Sequence, residues 1–202
     1  VPKYFRPTYD LATMEALLEA EGEKQQDETL ARDRALICLL YDSGARVSEL
    51  CGIRDQDVNA NERQALITGK GDKQRYIFWT ERTAALLAEY LALRSGETGG
   101  ELPLFRSCGK GGRGGKRRGE ALRPGPVRDI LERRAKRAGI TLPKGSSVHA
   151  LRHTFAHRFL DNGGDGLYLQ QLLGHESIVT TMRYVRENPK GLRRVYRKVM
   201  DE

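Results

Sequence analysis

The sequence predicts a mainly α-helical protein with one small antiparallel β-sheet, an α+β fold. Apolar residues recur three or four positions apart along much of the chain, which is the spacing of one face of an α-helix. Two β-prone runs, Gln64 to Thr68 and Gln74 to Trp79, flank the turn sequence G-K-G-D-K and predict a β-hairpin. A chain of 202 residues has the length of one domain with a substantial core, so we expect a single domain.

The first part of the chain is expected to form a short linker and three helices. Residues 1 to 7 contain two prolines and no apolar period, which is typical of a linker. Apolar spacing predicts a helix from about Leu11 to Glu21 and a buried helix from Thr29 to Asp42 that ends at Ser43-Gly44. Arg46 then follows on the turn into a short helix with the sequence V-S-E-L.

After the hairpin, Thr80 is expected to cap a helix that extends to Arg94. Residues 95 to 123 have the weakest pattern, and the basic stretch around 107–120 is expected to be a flexible loop. That loop is either a clamp on a DNA backbone or a solvated insertion without a partner. Further helices are predicted from Pro126 to Ala138, over the histidine-rich stretch from Ser147, from Leu167 to Leu173, from an N-cap at Ser177 to Tyr184, and over the amphipathic tail 190–200.

The rare reactive side chains are concentrated in one window near the C-terminus. All four histidines lie between residues 149 and 175. His149 and Arg152 are three positions apart on one helical run, so they can share one end of a helix. Tyr184 follows His175 by nine residues, after a helix that Gly174 is expected to terminate. An imidazole, a guanidinium and a phenol in this arrangement suit chemistry on a phosphate.

These motifs resemble those of the tyrosine recombinase, or phage integrase, family. The C-terminal signature is carried by H-A-L-R-H from His149, by L-L-G-H ending at His175, and by Tyr184. Upstream, G-A-R-V-S-E-L around Arg46 resembles the first arginine motif, and T-G-K-G-D-K-Q-R around Lys70 resembles the hairpin lysine motif. The resemblance extends from about Thr8 to the end of the chain. It implies the catalytic-domain fold of that family over residues 8–202, joined through residues 1–7 to a separate N-terminal DNA-binding domain.

The resemblance implies a site-specific DNA recombinase that cleaves and rejoins strands through a 3′-phosphotyrosyl intermediate. Tyr184 would be the nucleophile. Arg46 and Arg152 would hold the non-bridging oxygens of the phosphate and stabilise the charge of the transition state. Lys70 would be the general acid for the leaving 5′-oxygen, with Lys73 as its rival in the same hairpin.

Two histidines complete the implied site. His149 would act on the tyrosine proton as a base or hydrogen-bond partner, and His175 would bind the scissile phosphate or support the tyrosine. The resemblance implies neither a metal nor another cofactor, because the bond energy is kept in the covalent intermediate. It implies double-stranded DNA as the substrate and a homotetramer on two DNA sites, with tail helices exchanged between subunits.

Composition agrees with a DNA partner. The formal net charge of +8 favours a polyanion. No apolar run approaches the roughly 20 residues of a membrane span, so no membrane partner is expected. Three widely spaced cysteines are typical of reduced thiols in a cytoplasmic protein. With the resemblance, this predicts a nucleoid-associated protein of a prokaryotic or mobile-element host.

Other interpretations stay open at this stage. The protein could be a DNA-binding accessory protein that keeps the fold but does not cleave, or a type IB topoisomerase-like enzyme that relaxes DNA. The histidines at positions 149, 153 and 157 could form a metal-binding stripe, but Ala150 replaces the glutamate of the H-E-x-x-H motif. His153 and His157 are therefore expected to pack or to support the site. Arg46 could also be a surface arginine paired with Glu49, three residues on.

Overall fold

The computed structural model describes residues 7–20, 27–108, 118–142 and 147–201. Within these ranges the protein is mainly helical with one three-stranded antiparallel sheet, as the sequence predicts. The elements in chain order are α1 (Leu11–Glu19), α2 (Glu28–Ser43), α3 (Val47–Cys51), β1 (Val58–Asn59), β2 (Gln64–Thr68), β3 (Gln74–Phe78), α4 (Glu81–Leu93), α5 (Pro124–Arg137), α6 (Ser147–Asp161), α7 (Gly166–Leu173), α8 (Ile178–Arg186) and α9 (Pro189–Met200).

Helix α2 is the central helix, and most of its residues are buried. It begins at Asp27, whose carboxylate accepts a hydrogen bond from the Thr29 amide at 2.7 Å. It ends, as predicted, at Gly44 in the left-handed conformation (φ 61°). A Cβ atom at Gly44 would lie 2.2 Å from the ring of Phe155 in α6. Glycine therefore lets α6 pack directly against the end of α2, and Arg46 lies two residues beyond this contact.

The predicted hairpin is confirmed, and a two-residue strand extends it to three strands. The order is β1-β2-β3, and the β2–β3 register pairs Gln64 with Phe78 and Thr68 with Gln74. β3 ends one residue before the predicted Trp79. Strand β1 was not predicted, because two residues are too few to form an alternating pattern. Ala65, Ile67 and Ile77 are buried, whereas Tyr76 and Phe78 are exposed.

Several predicted helix ends need correction. α1 ends at Glu19 and not at Glu21, since Ala20 already leaves the helical conformation. α5 begins at Pro124, two residues before the predicted Pro126, because a first turn needs no N–H donor. Thr80 occupies the N-cap position of α4, but its hydroxyl donates to Asp42 at 2.6 Å and makes no capping bond.

A buried arginine in α5 connects this helix to the end of α1. Arg134 in α5 donates from Nε to the Leu17 carbonyl at 2.6 Å and from Nη2 to the Leu18 carbonyl at 3.0 Å. These carbonyls belong to the last turn of α1, where a helix lacks its own donors. The guanidinium therefore fixes α1 to α5, while a second apolar cluster forms beneath α6, α7 and α8.

The tail helix is confirmed as α9. Its amide at Gly191 is capped by the Asn188 side chain at 2.7 Å, and Gly191 is buried against α6. Beyond this first turn the apolar side chains of α9 are 53 to 73% exposed. Most of the predicted basic loop, residues 109–117, and linker residues 1–6 lie outside the described ranges. No helix among the described residues is long and apolar enough to cross a membrane.

Candidate active site

Arg46 lies at the N-cap of α3, on the turn that follows Gly44. Its Nη1 donates to Glu49 Oε1 at 2.9 Å, and its amide donates to Glu49 Oε2 at 2.7 Å. The predicted ion pair with Glu49 is therefore present, yet 41% of the Arg46 side chain is exposed. Leu50 and Ile53 are buried beneath the turn. Glu49 thus holds the Arg46 guanidinium in place on one side, while its other side is accessible to solvent.

Glu49 connects this turn to the hairpin. Its side chain is 4% exposed, and its two oxygens accept from Arg75 Nη1 at 3.0 Å and Arg75 Nη2 at 2.8 Å. Burial acts to raise the pKa of Glu49, but the hydrogen bonds from Arg75 and Arg46 outweigh it and hold the pKa below its usual value. The carboxylate is therefore ionised and shared by two guanidinium groups.

Arg152 is the buried arginine of the site. It projects from α6, and its Nη1 donates to the Gly44 carbonyl at 2.6 Å while its Nη2 donates to the Leu173 carbonyl at 2.6 Å. One acceptor is the C-cap of α2 and the other is the last residue of α7. The partial negative charge of these two helix ends favours a cation between them.

Among the described residues, the Arg152 guanidinium donates its hydrogen bonds to backbone carbonyls. Burial lowers its pKa to about 10, and the nearby charges of Arg46 and Arg75 act in the same direction. Glu49 and Tyr184 act in the opposite direction. Because cations are clustered here and the pKa of one arginine is lowered, binding of an anion lowers the free energy of the site.

Tyr184 is 3% exposed and lies in the apolar cluster beneath α6 and α8. Its hydroxyl is 2.7 Å from Nδ1 of His153. The ring of His157 meets the phenol edge-on, with 5.6 Å between centroids. The ring of His149 lies edge-on to the ring of His153, with 4.7 Å between centroids. His153, one helical turn after His149, is thus a hydrogen-bond partner of the tyrosine, and the action of His149 on the tyrosine proton stays a prediction.

His175 follows the left-handed Gly174 that ends α7, as predicted. Its Nδ1 is 2.8 Å from Thr181 Oγ1, and its carbonyl accepts from Gln170 Nε2 at 3.1 Å. Its ring is nearly parallel to that of Tyr184, with 6.4 Å between centroids. The turn and these bonds therefore fix the imidazole beside the phenol.

The hairpin lysines lie at an exposed tip that faces the turn after α7. Lys70 begins a 3₁₀ turn, and Gly71 and Asp72 both have positive φ, as in the tightest hairpin turns. Lys73 Nζ is 3.0 Å from Glu176 Oε1. The hydrogen bond from Lys73 and the charges of Lys73 and Lys70 lower the pKa of Glu176. Both lysines are therefore near the His175 segment, and this geometry does not choose between them.

The contacts connect both predicted arginines to the hairpin and to the end of α7 that precedes His175. Gly44 and Leu173 tie Arg152 to the ends of α2 and α7, and Glu49 ties Arg46 to the hairpin. An accessible arginine, a buried arginine and a phenol paired with imidazole suit phosphoryl transfer. Within the described ranges, no group of three His, Cys, Asp or Glu side chains is arranged to hold a metal ion.

The sequence did not reveal the contacts that three groups, Arg75, Glu49 and His153, make in this site. Arg75 had a usable signal, because it alternates with Ile77 on the inward side of β3, and a buried arginine requires a partner. Glu49 was considered only as a surface partner of Arg46. His153 was expected to pack or support, and its contact with Tyr184 depends on how α8 packs on α6.

Comparison with known proteins adds an independent line of support. The sequence profile of the phage integrase family matches residues 10–190. The tyrosine recombinase XerC of Bradyrhizobium diazoefficiens is 37% identical over 180 residues, which are 88% of this chain and 53% of that protein. The chain spans about half the length of such curated relatives.

Two solved structures share the fold. The crystal structure of XerA recombinase superposes with a TM-score of 0.75 at 31% identity, over 99% of this chain and 66% of that one. The XerH site-specific recombinase, bound to palindromic difH substrate in a post-cleavage complex, gives a TM-score of 0.73 at 25% identity, over 95% of this chain and 52% of that one.

Proposed function

Because the chain belongs to the phage integrase family, we propose that it is the catalytic domain of a site-specific DNA recombinase. The fold predicted from the motifs is confirmed by the match to XerA. The observation that carries the proposal is the contact between the Tyr184 phenol and His153 on α6, the same helix from which Arg152 reaches the Gly44 carbonyl, two residues before Arg46. An N-terminal DNA-binding domain joined through residues 1–7 stays a prediction.

The proposed first step is a transesterification. The Tyr184 oxygen attacks the phosphorus of a DNA phosphodiester, the new O–P bond forms a 3′-phosphotyrosine, and the bond to the 5′-oxygen breaks. Arg46 and Arg152 contact the non-bridging oxygens, where negative charge increases in the transition state. The short Arg152 bonds to two carbonyls support this role because they preorganise the guanidinium before DNA arrives.

Proton transfer accompanies both bond changes. The phenol proton passes to His153, which is already within hydrogen-bond distance, and His149 lies behind it to accept or exchange that proton. Lys70, or its rival Lys73, donates a proton to the leaving 5′-oxygen. His175, held parallel to the phenol, supports the tyrosine and the phosphate. The 5′-hydroxyl of a second strand then attacks the phosphotyrosine and reverses these steps.

Double-stranded DNA is the proposed substrate. The net charge of +8 supports a polyanionic partner. The XerH relative was solved with its difH substrate in a post-cleavage state. The same proposal places the protein at the nucleoid of a prokaryotic or mobile-element host.

We further propose a homotetramer in which α9 docks on a neighbouring copy. The support is an uncovered apolar stripe on α9, formed by Leu192, Val195, Tyr196, Val199 and Met200. The proposed docking site is a groove beside the hairpin, lined by five apolar or aromatic residues and two polar ones: Tyr76, Phe78, Phe159, Tyr168, Leu172, Arg75 and Gln171. Removing residues 189–202 should abolish the DNA-dependent tetramer in analytical ultracentrifugation. An unchanged tetramer would exclude the exchange.

A nicked suicide substrate tests the cleavage proposal. The parent protein should form a covalent protein–DNA adduct, and Tyr184→Phe should form none. If both bind the DNA but neither forms an adduct, the chain is a binding protein with the recombinase fold. Relaxation of supercoiled DNA without any two-site product would indicate a topoisomerase-like enzyme. Formation of the adduct in the presence of EDTA would exclude a metal stripe as the catalytic group.

A further inference from the structure

We propose that Arg75 is a positioning residue that holds the hairpin lysine next to Arg46 and Arg152, the two arginines that we call the arginine clamp. This inference rests on the proposed function, since it assigns a role within the same reaction. Arg75 is in β3, five residues after Lys70, and 13% of its side chain is exposed. Its three donor nitrogens are all engaged with two other segments of the site.

The first segment is the turn that carries Arg46. Arg75 meets the Glu49 carboxylate through two parallel bonds of 3.0 and 2.8 Å, the bidentate geometry that fixes orientation as well as distance. Glu49 in turn holds the amide and the guanidinium of Arg46. The hairpin and the first arginine therefore share one carboxylate.

The second segment is the end of α7. Arg75 Nε donates to the Leu172 carbonyl at 2.9 Å, and Arg152 donates to the next carbonyl, that of Leu173. Two guanidinium groups thus occupy consecutive carbonyls at the negative end of one helix. The turn that begins with Gly174 then leads to His175.

Two glycines, Gly174 and Gly69, let the backbone approach the Arg75 guanidinium closely. A Cβ atom at Gly174 would lie 2.9 Å from Arg75 Nη1. A Cβ atom at Gly69, directly before Lys70, would lie 3.6 Å from the same nitrogen and 3.3 Å from Glu49 Oε1. The base of the hairpin therefore rests on the Arg75–Glu49 pair, while the tip that carries Lys70 is exposed. Without this ion pair the hairpin tip would keep its turn conformation, but its position relative to the arginine clamp would no longer be fixed.

The role makes a specific prediction about the leaving group. A displaced lysine cannot protonate the 5′-oxygen, and an error of about 1 Å can slow a reaction about 100-fold. If sulfur replaces that bridging oxygen, the leaving group is a thiolate, whose conjugate acid has a pKa of about 8.5, and it departs without a proton donor. Loss of Arg75 should therefore slow cleavage of the natural phosphodiester strongly and cleavage of the 5′-bridging phosphorothiolate only slightly.

The experiment measures single-turnover adduct formation on both substrates with the parent, Arg75→Ala, Arg75→Lys, Lys70→Ala and Lys73→Ala. We expect the Arg75 variants to be roughly 100-fold slower than the parent on the phosphodiester and within about fivefold on the phosphorothiolate. Whichever lysine variant shows the same rescue identifies the general acid. Arg54→Ala is the matched control, because Arg54 pairs with Glu101 at an exposed site and should leave both rates unchanged. Arg75→Lys keeps the charge and provides a second variant if Arg75→Ala does not fold.

Equal slowing of the Arg75 variants on both substrates would overturn the proposal, because the defect would then lie in the clamp or in the fold. Parent-like rates on the phosphodiester would also overturn it. If the parent forms no adduct, the recombinase function fails, and hydrogen exchange then decides the positional claim. Arg75→Lys should accelerate exchange in peptides covering 69–73 and 172–175, and unchanged exchange in both would overturn it.

Discussion

Replacing Glu49 with glutamine should destabilise the protein far more than an exposed charge substitution does. The substitution leaves Arg75, which is 13% exposed, without the carboxylate that accepts two of its bonds. Removing one partner of a buried ion pair costs about 3 to 5 kcal/mol. We expect the lower end, about 3 kcal/mol, because Arg75 keeps the Leu172 carbonyl and glutamine keeps one acceptor oxygen. For a protein of this size this corresponds to roughly 6 to 12 °C in Tm.

The pH dependence makes the test sharper. Hydrogen bonds from Arg75 and Arg46 hold the pKa of Glu49 below its ordinary value of about 4.3 despite the opposing effect of burial. A carboxylate with a depressed pKa contributes its full stability above the ordinary pKa, and this is lost as pH falls through the depressed value. Urea unfolding should therefore show the full difference between parent and Glu49→Gln at pH 7 and a shrinking one from about pH 4 downward.

Glu81→Gln is the matched control. Glu81 pairs with Arg63 at 3.3 Å on the surface, where 91% of its side chain is exposed. Such a pair is worth at most about 1 kcal/mol. A Glu49→Gln effect no larger than that of Glu81→Gln, or a difference that stays constant to about pH 3, would refute the reasoning.

Three further predictions concern other contacts of the site. Tyr184→Phe should lower the unfolding free energy by about 1 to 2 kcal/mol in urea, because it removes the buried bond to His153, and an unchanged value would contradict that bond. Gly174→Ala should cost at least about 1 to 2 kcal/mol, since φ is 62° and the new Cβ would press on Arg75; parent-like unfolding would show that the turn adapts. Inorganic phosphate should raise the Tm of the parent more than that of Arg152→Lys, compared with chloride at equal ionic strength, because a bound anion stabilises a guanidinium whose pKa is lowered mainly by burial and further by the nearby charges of Arg46 and Arg75; equal shifts would exclude Arg152 as an anion ligand.

Much of the local structure could be predicted because it depends on local rules. Gly44 and Gly174 end their helices in the left-handed conformation, and Ser177 caps α8 by accepting from the Val179 amide. The hairpin followed from β-prone runs around glycines. These features depend on residues a few positions apart, so one sequence contains the whole pattern.

The remaining features depend on distant segments. Glu49 and Arg75 are 26 positions apart, and Arg75 reaches Leu172 across 97 positions, so only the packing of β3 on α7 reveals their role. The contact of His153 with Tyr184 depends on the rotation of α6 against α8. Helical spacing shows that His149 and His153 lie near one face but does not determine which of them meets a residue 31 positions later.

The most direct test of the proposed nucleophile is to identify the residue that carries the DNA. The adduct from a suicide substrate can be digested with protease and nuclease, and the modified peptide sequenced by mass spectrometry. We predict a single phosphotyrosyl link at Tyr184, although this residue is 3% exposed whereas Tyr168 and Tyr196 are 64% and 62% exposed. A link at either exposed tyrosine, or DNA attached through any other side chain, would contradict a site assembled around Arg46, Arg152 and Tyr184.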